Sequence, residues 1–227
     1  MVLAAITAVV ILGGLSRISK TASKLVPGMV LLYFILVLII LGIHIEVVPK
    51  YLGMIFTDAF SADFIKDDAL FGGTLGSLIL LGIKRGAFSN EAGIGTAPMA
   101  HGAAKTQQPV REGLIAMMGP AIDTLIVCTM TALAIIITGV WRDGGETGIS
   151  LTLRAFESAM PGYGSFLLMI CVSIFALSSL FTFSYYGTKS LGYLLGAENQ
   201  HYYNYFYVAS ICLGAAVSIN AVINVID

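Results

Sequence analysis

The chain has 227 residues, 57% of them hydrophobic and 11% charged, with a net charge of −1 and a mean hydropathy of +0.90. Soluble domains run about 45–50% apolar and about 25% charged, so this chain has too little polar surface for an aqueous exterior. The near-zero charge, without a basic patch, excludes nucleic-acid binding as its main business. Cys128, Cys171 and Cys212 stand far apart in apolar sequence and make neither a disulfide framework nor a metal cluster. The expectation is an all-α, polytopic membrane protein set in a lipid bilayer.

A bilayer core about 30 Å thick needs about 20 mostly apolar residues per helix. The first span, about 1–15, is short, and its basic residues Arg17, Lys20 and Lys24 follow the apolar run. A cleaved leader carries them before it, so this reads as a membrane helix without its beginning. The second span, about 26–45, places Pro27 where a first helical turn tolerates proline. Val47–Phe64 mixes Tyr51, Met54 and Phe60 with Lys50, Asp58 and Asp63, the pattern of an interfacial amphipathic helix. Residues 70–104 form a broken span, because Leu70–Ile83 and Ile94–Ala104 are each too short to cross alone. Spans at about 113–141, 165–187 and 203–225 follow, with a short amphipathic stretch at Thr147–Met160. Alternating these spans gathers Arg17, Lys20, Lys24, Lys105, Arg111 and Lys189 on one side, which the positive-inside bias makes cytoplasmic. Trp141, Tyr163 and Tyr51 then fall at the outer interface.

The broken span carries the chemistry. Ser89-Asn90-Glu91 is polar at a depth where polarity is expensive, and Gly86, Gly93 and Gly95 surround it. Unwound backbone inside a bilayer is tolerated only where protein buries it or a wet cavity borders it. Two half-helices meeting there would attract a carboxylate to the second half's N-terminus and a cation to the first half's freed carbonyls. Glu91 would need a partner, and Lys84 or Arg85 is near enough if the chain folds back. The bland alternative is a cytoplasmic loop between two short helices.

The stretch Gly86-Ala-Phe-Ser-Asn-Glu-Ala-Gly-Ile-Gly-Thr-Ala-Pro-Met-Ala-His101 resembles, in register, the signature of the alanine or glycine:cation symporters, the sodium:alanine symporter family. Phe175-Ala-Leu-Ser-Ser179 and Ser184-Tyr-Tyr-Gly187 resemble a later, substrate-side helix of that family. The resemblance implies a partial LeuT-type inverted-repeat transporter with a broken helix, corresponding to the family's fourth to ninth helices. It implies sodium-coupled symport of small neutral amino acids such as alanine and glycine in the plasma membrane, with sodium as coupling ion and no other cofactor. Phe88, Ser89, Asn90, Gly93, Ile94, Ser179 and Phe183 would face the substrate, and Ser178 and Ser179 the cation. Lys84, Arg85, Glu91 and Asp123 would serve gating or charge pairing. Two positions depart from the family's usual pattern: Phe183 stands where tryptophan is usual, removing an indole N–H, and Thr188 stands where glutamate is usual.

Alternatives accompany these residues. Ser178 and Ser179 could simply glue helices by packing and hydrogen bonding. Asp123 is either a proton or cation relay or the partner of a backbone group freed by Pro120. His101 is either a titrating gate or a structural histidine at headgroup level. Enzyme chemistry is not expected, since the three histidines are scattered and no metalloprotease spacing exists. The remaining alternative is a membrane subunit or truncated product without transport of its own.

Overall fold

The computed structural model describes residues 2–59, 68–91, 93–215 and 217. Among them there is no strand, and every regular element is a helix. The helices are α1 (Val2–Ile11), α2 (Gly14–Ile43), α3 (Val48–Ala59), α4 (Asp68–Ser89), α5 (Thr96–His101), α6 (Pro109–Ala121), α7 (Thr129–Thr138), α8 (Ile149–Ala159), α9 (Gly164–Leu195) and α10 (Tyr202–Gly214). A π-helical segment, Ile122–Cys128, joins α6 to α7, and a short 3-10 turn, Val140–Asp143, follows α7. Among the described residues three stretches are long and apolar enough to cross a bilayer: Lys20–Ile43, Pro109–Thr138 and Gly164–Leu195. The expected sixth span runs past residue 217, and that part lies outside the described residues.

Two boundaries differ from the sequence reading. Ser16–Lys24, expected as a loop, belongs to α2, which places Pro27 inside the helix rather than in its first turn. The cause is the spacing of Arg17, Lys20 and Lys24, which puts all three on one helical face. Arg17 reaches back, its Nη1 donating to the Val9 carbonyl at 3.0 Å. Likewise α9 continues beyond the expected end of its span to Leu195, and Gly196, with φ at 89°, supplies the left-handed residue that stops it.

The chain divides into two compact units. In the first, residues 1–31 and 170–227, α1 packs against α10. Ile11, Ile18 and Phe181 form its buried centre, with Val10, Leu177 and Tyr207 against them. Gly187 is required here, because a Cβ would sit 1.9 Å from the Tyr203 ring. Thr188 bridges α9 to α10 by donating to the Asn204 side-chain oxygen at 2.9 Å.

In the second unit, residues 32–169, α7 packs on α8 and α3. Leu36, Val37, Ile40, Leu133, Ala134 and Phe156 are buried. The Phe156 ring stacks on Tyr33 at 6.1 Å, and Tyr33 hydrogen-bonds Thr131. The amphipathic pattern of Thr147–Met160 becomes α8, which buries Ala155 and Phe156.

Candidate functional site

The polar motif interrupts a helix. Asn90 makes the last regular bond of α4, N–H to the Gly86 carbonyl at 3.0 Å. The chain then turns: Glu91 has φ at 53°, the positive φ found at a non-glycine position among the described residues, and Gly93 and Gly95 follow at 79° and 86°. A side chain in that conformation is strained, so the turn is held by its surroundings. The Thr96 hydroxyl donates to the Glu91 carboxylate at 2.6 Å, tying the turn to the first residue of α5.

A second helix supports the interruption. Pro120 lies inside α6 and, lacking an N–H and crowding the preceding carbonyl, is followed two residues later by the π-helical segment. That segment presents Asp123 and Thr124 to the end of α4. The Ser89 hydroxyl donates to Asp123 at 2.9 Å, and the Asn90 amide donates to the Thr124 hydroxyl at 2.8 Å. The Asn90 amide donates again to the Gly86 carbonyl at 2.9 Å, while its Oδ1 is buried and has no partner. Asp123 therefore finds Ser89, not a backbone group freed by Pro120.

The other candidates divide between the units. Lys84, Arg85, Phe88 and Ile94 are exposed in the same unit as Asn90 and Asp123, Phe88 at 62% and Ile94 at 56%. Among the described residues no ion pair joins Glu91 to Lys84 or Arg85; its partner is Thr96. Ser178, Ser179 and Phe183 lie on α9 in the other unit, where the Ser178 hydroxyl donates to the Phe175 carbonyl at 2.8 Å and Ser179 is half-buried. His101 meets Glu112 across the loop between α5 and α6, Nδ1 to carboxylate oxygen at 2.8 Å.

Sequence reasoning missed Thr124. Its one signal was adjacency to Asp123, and hydroxyl residues in membrane helices are too common for that to single it out. It also missed a cavity of about 590 Å³ beside the 3-10 turn, bordered by Arg142, Asp143, Arg154, Glu157 and Ser158. Arg154 is committed there to Asp143 at 3.1 Å, with Glu146 at 3.9 Å.

Comparison with known proteins adds a family. The profile described as the sodium:alanine symporter family matches residues 1–227. A sodium/alanine symporter of Methanococcus maripaludis is 40% identical, covering 100% of this chain and 49% of that protein. A sodium/proton-dependent alanine carrier protein of a Bacillus species is 35% identical, covering 84% and 45%. A probable sodium/glutamine symporter of Bacillus subtilis is 32% identical, covering 100% and 47%. The chain thus spans about half the length of the curated relatives it matches. These relatives are transporters, not enzymes; all three names carry sodium, and that of the Bacillus carrier also the proton.

Proposed function

We propose, from the premise that this chain belongs to the sodium:alanine symporter family, that its helices serve a multi-pass symporter carrying small neutral amino acids, such as alanine or glycine, with sodium across the cell membrane. The observation that carries this reading is the helix interruption at residues 90–95, where Glu91, Gly93 and Gly95 all hold positive φ. Backbone released from a helix inside a membrane protein offers N–H and carbonyl groups to a solute without the cost of breaking helical bonds.

In this reading the solute's carboxylate meets the backbone of the Gly93–Gly95 turn, and its ammonium meets carbonyls around Ala87–Ser89 and the side chain of Asn90. Phe88 and Ile94, both exposed, wall its apolar side chain. The hydroxyls of Ser178 and Ser179 are hard oxygen ligands suited to sodium. Lys84, Arg85, Glu91 and Asp123 are the charged groups assigned to opening and closing the path. The fold assigned to the assembled transporter is the LeuT-type inverted repeat. Sodium binding holds the interrupted backbone in its closed geometry, so the gradient drives uptake.

The test is a chimera in which this chain replaces the matching half of the Methanococcus maripaludis symporter. Reconstituted in vesicles, it accumulates radiolabelled alanine under an inward sodium gradient and not when choline replaces sodium. A correctly inserted chimera that accumulates no alanine, glycine or glutamine with sodium would overturn the reading in favour of a membrane subunit without transport.

A further inference from the structure

We propose that His101 and Glu112 form a pH-sensitive latch on the second half of the interrupted helix, closed in acid and released as pH rises. Its bearing on transport rests on the symport reading above; its existence does not.

Among the described residues, two sets of side-chain bonds attach the interrupted helix to the helix that follows it. At the break, Ser89 and Asn90 are clamped to Asp123 and Thr124. At the far end of α5, His101 Nδ1 meets the Glu112 carboxylate at 2.8 Å. With 6 residues, α5 is too short to persist as a helix by itself, so its position depends on what holds its ends.

Each charge of the pair stands where a helix favours it. His101 is in the last turn of α5 and Glu112 in the first turn of α6, the ends that prefer a cation and an anion respectively. At 38% and 23% exposure the pair is open to protons from water, yet not so open that solvent screens it away. An imidazolium makes a charge-assisted bond to a carboxylate, about twice as strong as a neutral one. A neutral ring either donates from Nδ1 without the charge or, as the other tautomer, turns a lone pair towards the carboxylate. Histidine passes between these states from pH 5 to 8. The contact is therefore at full strength on the acid side of that range and weakens towards the alkaline side.

The surroundings add two cations. Besides Glu112, α6, which packs against α5, brings Arg111, and the loop between them brings Lys105. Among the described residues neither bonds the pair, and α5 has no other titratable group. Lys105 and Arg111 mark the end that the positive-inside bias makes cytoplasmic, so the latch reads cytosolic pH. Once it opens, α5 is held from the break alone, and the Gly93–Gly95 turn assigned to the solute loses its far support.

The experiment follows hydrogen–deuterium exchange of this chain in phosphatidylcholine nanodiscs between pH 5 and pH 8, each rate divided by the intrinsic rate at that pH. Protection of residues 100–113 should fall by about fivefold across the range, equivalent to about 1 kcal/mol. His101→Gln and Glu112→Gln should each remove the step, and His201→Gln should leave it in place. A parent without the step overturns the proposal, as does a step that survives in either variant or vanishes with His201→Gln. Should neither variant of the pair fold, NMR of the parent decides: the midpoint of the step must coincide with the titration of the His101 ring, and a mismatch overturns the latch. Exchange is read without any transport, so a flat profile leaves the symport reading standing, and a silent chimera leaves the latch standing.

Discussion

The Glu157 carboxylate collects three donors from the turn that opens α9: the Gly162 N–H at 2.7 Å, the Ser165 hydroxyl at 2.7 Å and the Ser165 N–H at 3.1 Å. The first N–H groups of a helix have no partner within it, and here an acid from α8 supplies one across the intervening turn. These bonds, the Gly162 N–H foremost, hold the Glu157 carboxyl below its ordinary value of 4.5. A folded-state value below the unfolded one stabilises above the unfolded pKa and is lost as pH falls through the folded one. We therefore expect the α8–α9 junction to be indifferent between pH 7 and pH 5 and to loosen only below about 4.5. Glu157→Gln would erase that acid step. Amide exchange at Gly162 and Ser165 across the pH series checks this, and an acid step that survives in the Gln variant would sink it. Glu157 was not legible as a cap, because it acts across eight residues and a turn instead of within the first helical turn. The Ser89–Asp123 bond was illegible for the same reason on a larger scale: 34 residues separate the two, and periodicity speaks only within an element.

Among the elements, the interrupted helix was the most legible. Polar Ser89-Asn90-Glu91 between Gly86, Gly93 and Gly95 is a local pattern, and a break is a local event. The start of α2 was not legible, because a basic cluster reads equally as a loop or as one charged helical face. The π-helical segment was also invisible, although its cause, Pro120, stood in plain view; a proline announces a disturbance but not its kind. That segment has a consequence. In an α-helix each residue adds about 100° of rotation, so a wide turn resets the facing of everything around it. Asp123 and Thr124 meet Ser89 and Asn90 because of that reset. Pro120→Ala should let Ile122–Cys128 relax towards regular α-helix and turn the pair away from α4. Losing a hydrogen bond worth about 1 kcal/mol speeds exchange by about fivefold, so the amides of Asn90 and Glu91 should exchange faster by at least that factor. A regular helix at 122–128 with unchanged exchange at 90–91 would show that the clamp does not depend on the π turn.

For the whole molecule, the composition that excluded a soluble domain also makes a claim about sides. The stretch Pro109–Thr138 has 30 residues, about 45 Å of helix at about 1.5 Å per residue. That exceeds a hydrocarbon core of about 30 Å, so the helix crosses with room for tilt. Large apolar side chains such as Leu114, Met117 and Leu125 stand exposed along it, as lipid contact requires. Its two ends then lie on opposite faces of the membrane. Lys105 and Arg111 mark one end; Arg142, its guanidinium 5.2 Å from the centre of the Trp141 ring, marks the other. Basic residues favour the cytoplasmic side and interfacial tryptophan suits either boundary, so the Lys105 end is assigned inward. In a background with Cys128, Cys171 and Cys212 replaced by alanine, Arg142→Cys should react with an impermeant maleimide added outside right-side-out vesicles. Lys105→Cys should react only after the membrane is opened. The reverse pattern would invert the topology. Both sites reacting from one face would mean that Pro109–Thr138 does not cross, and with it would go the mid-membrane placement of Asp123.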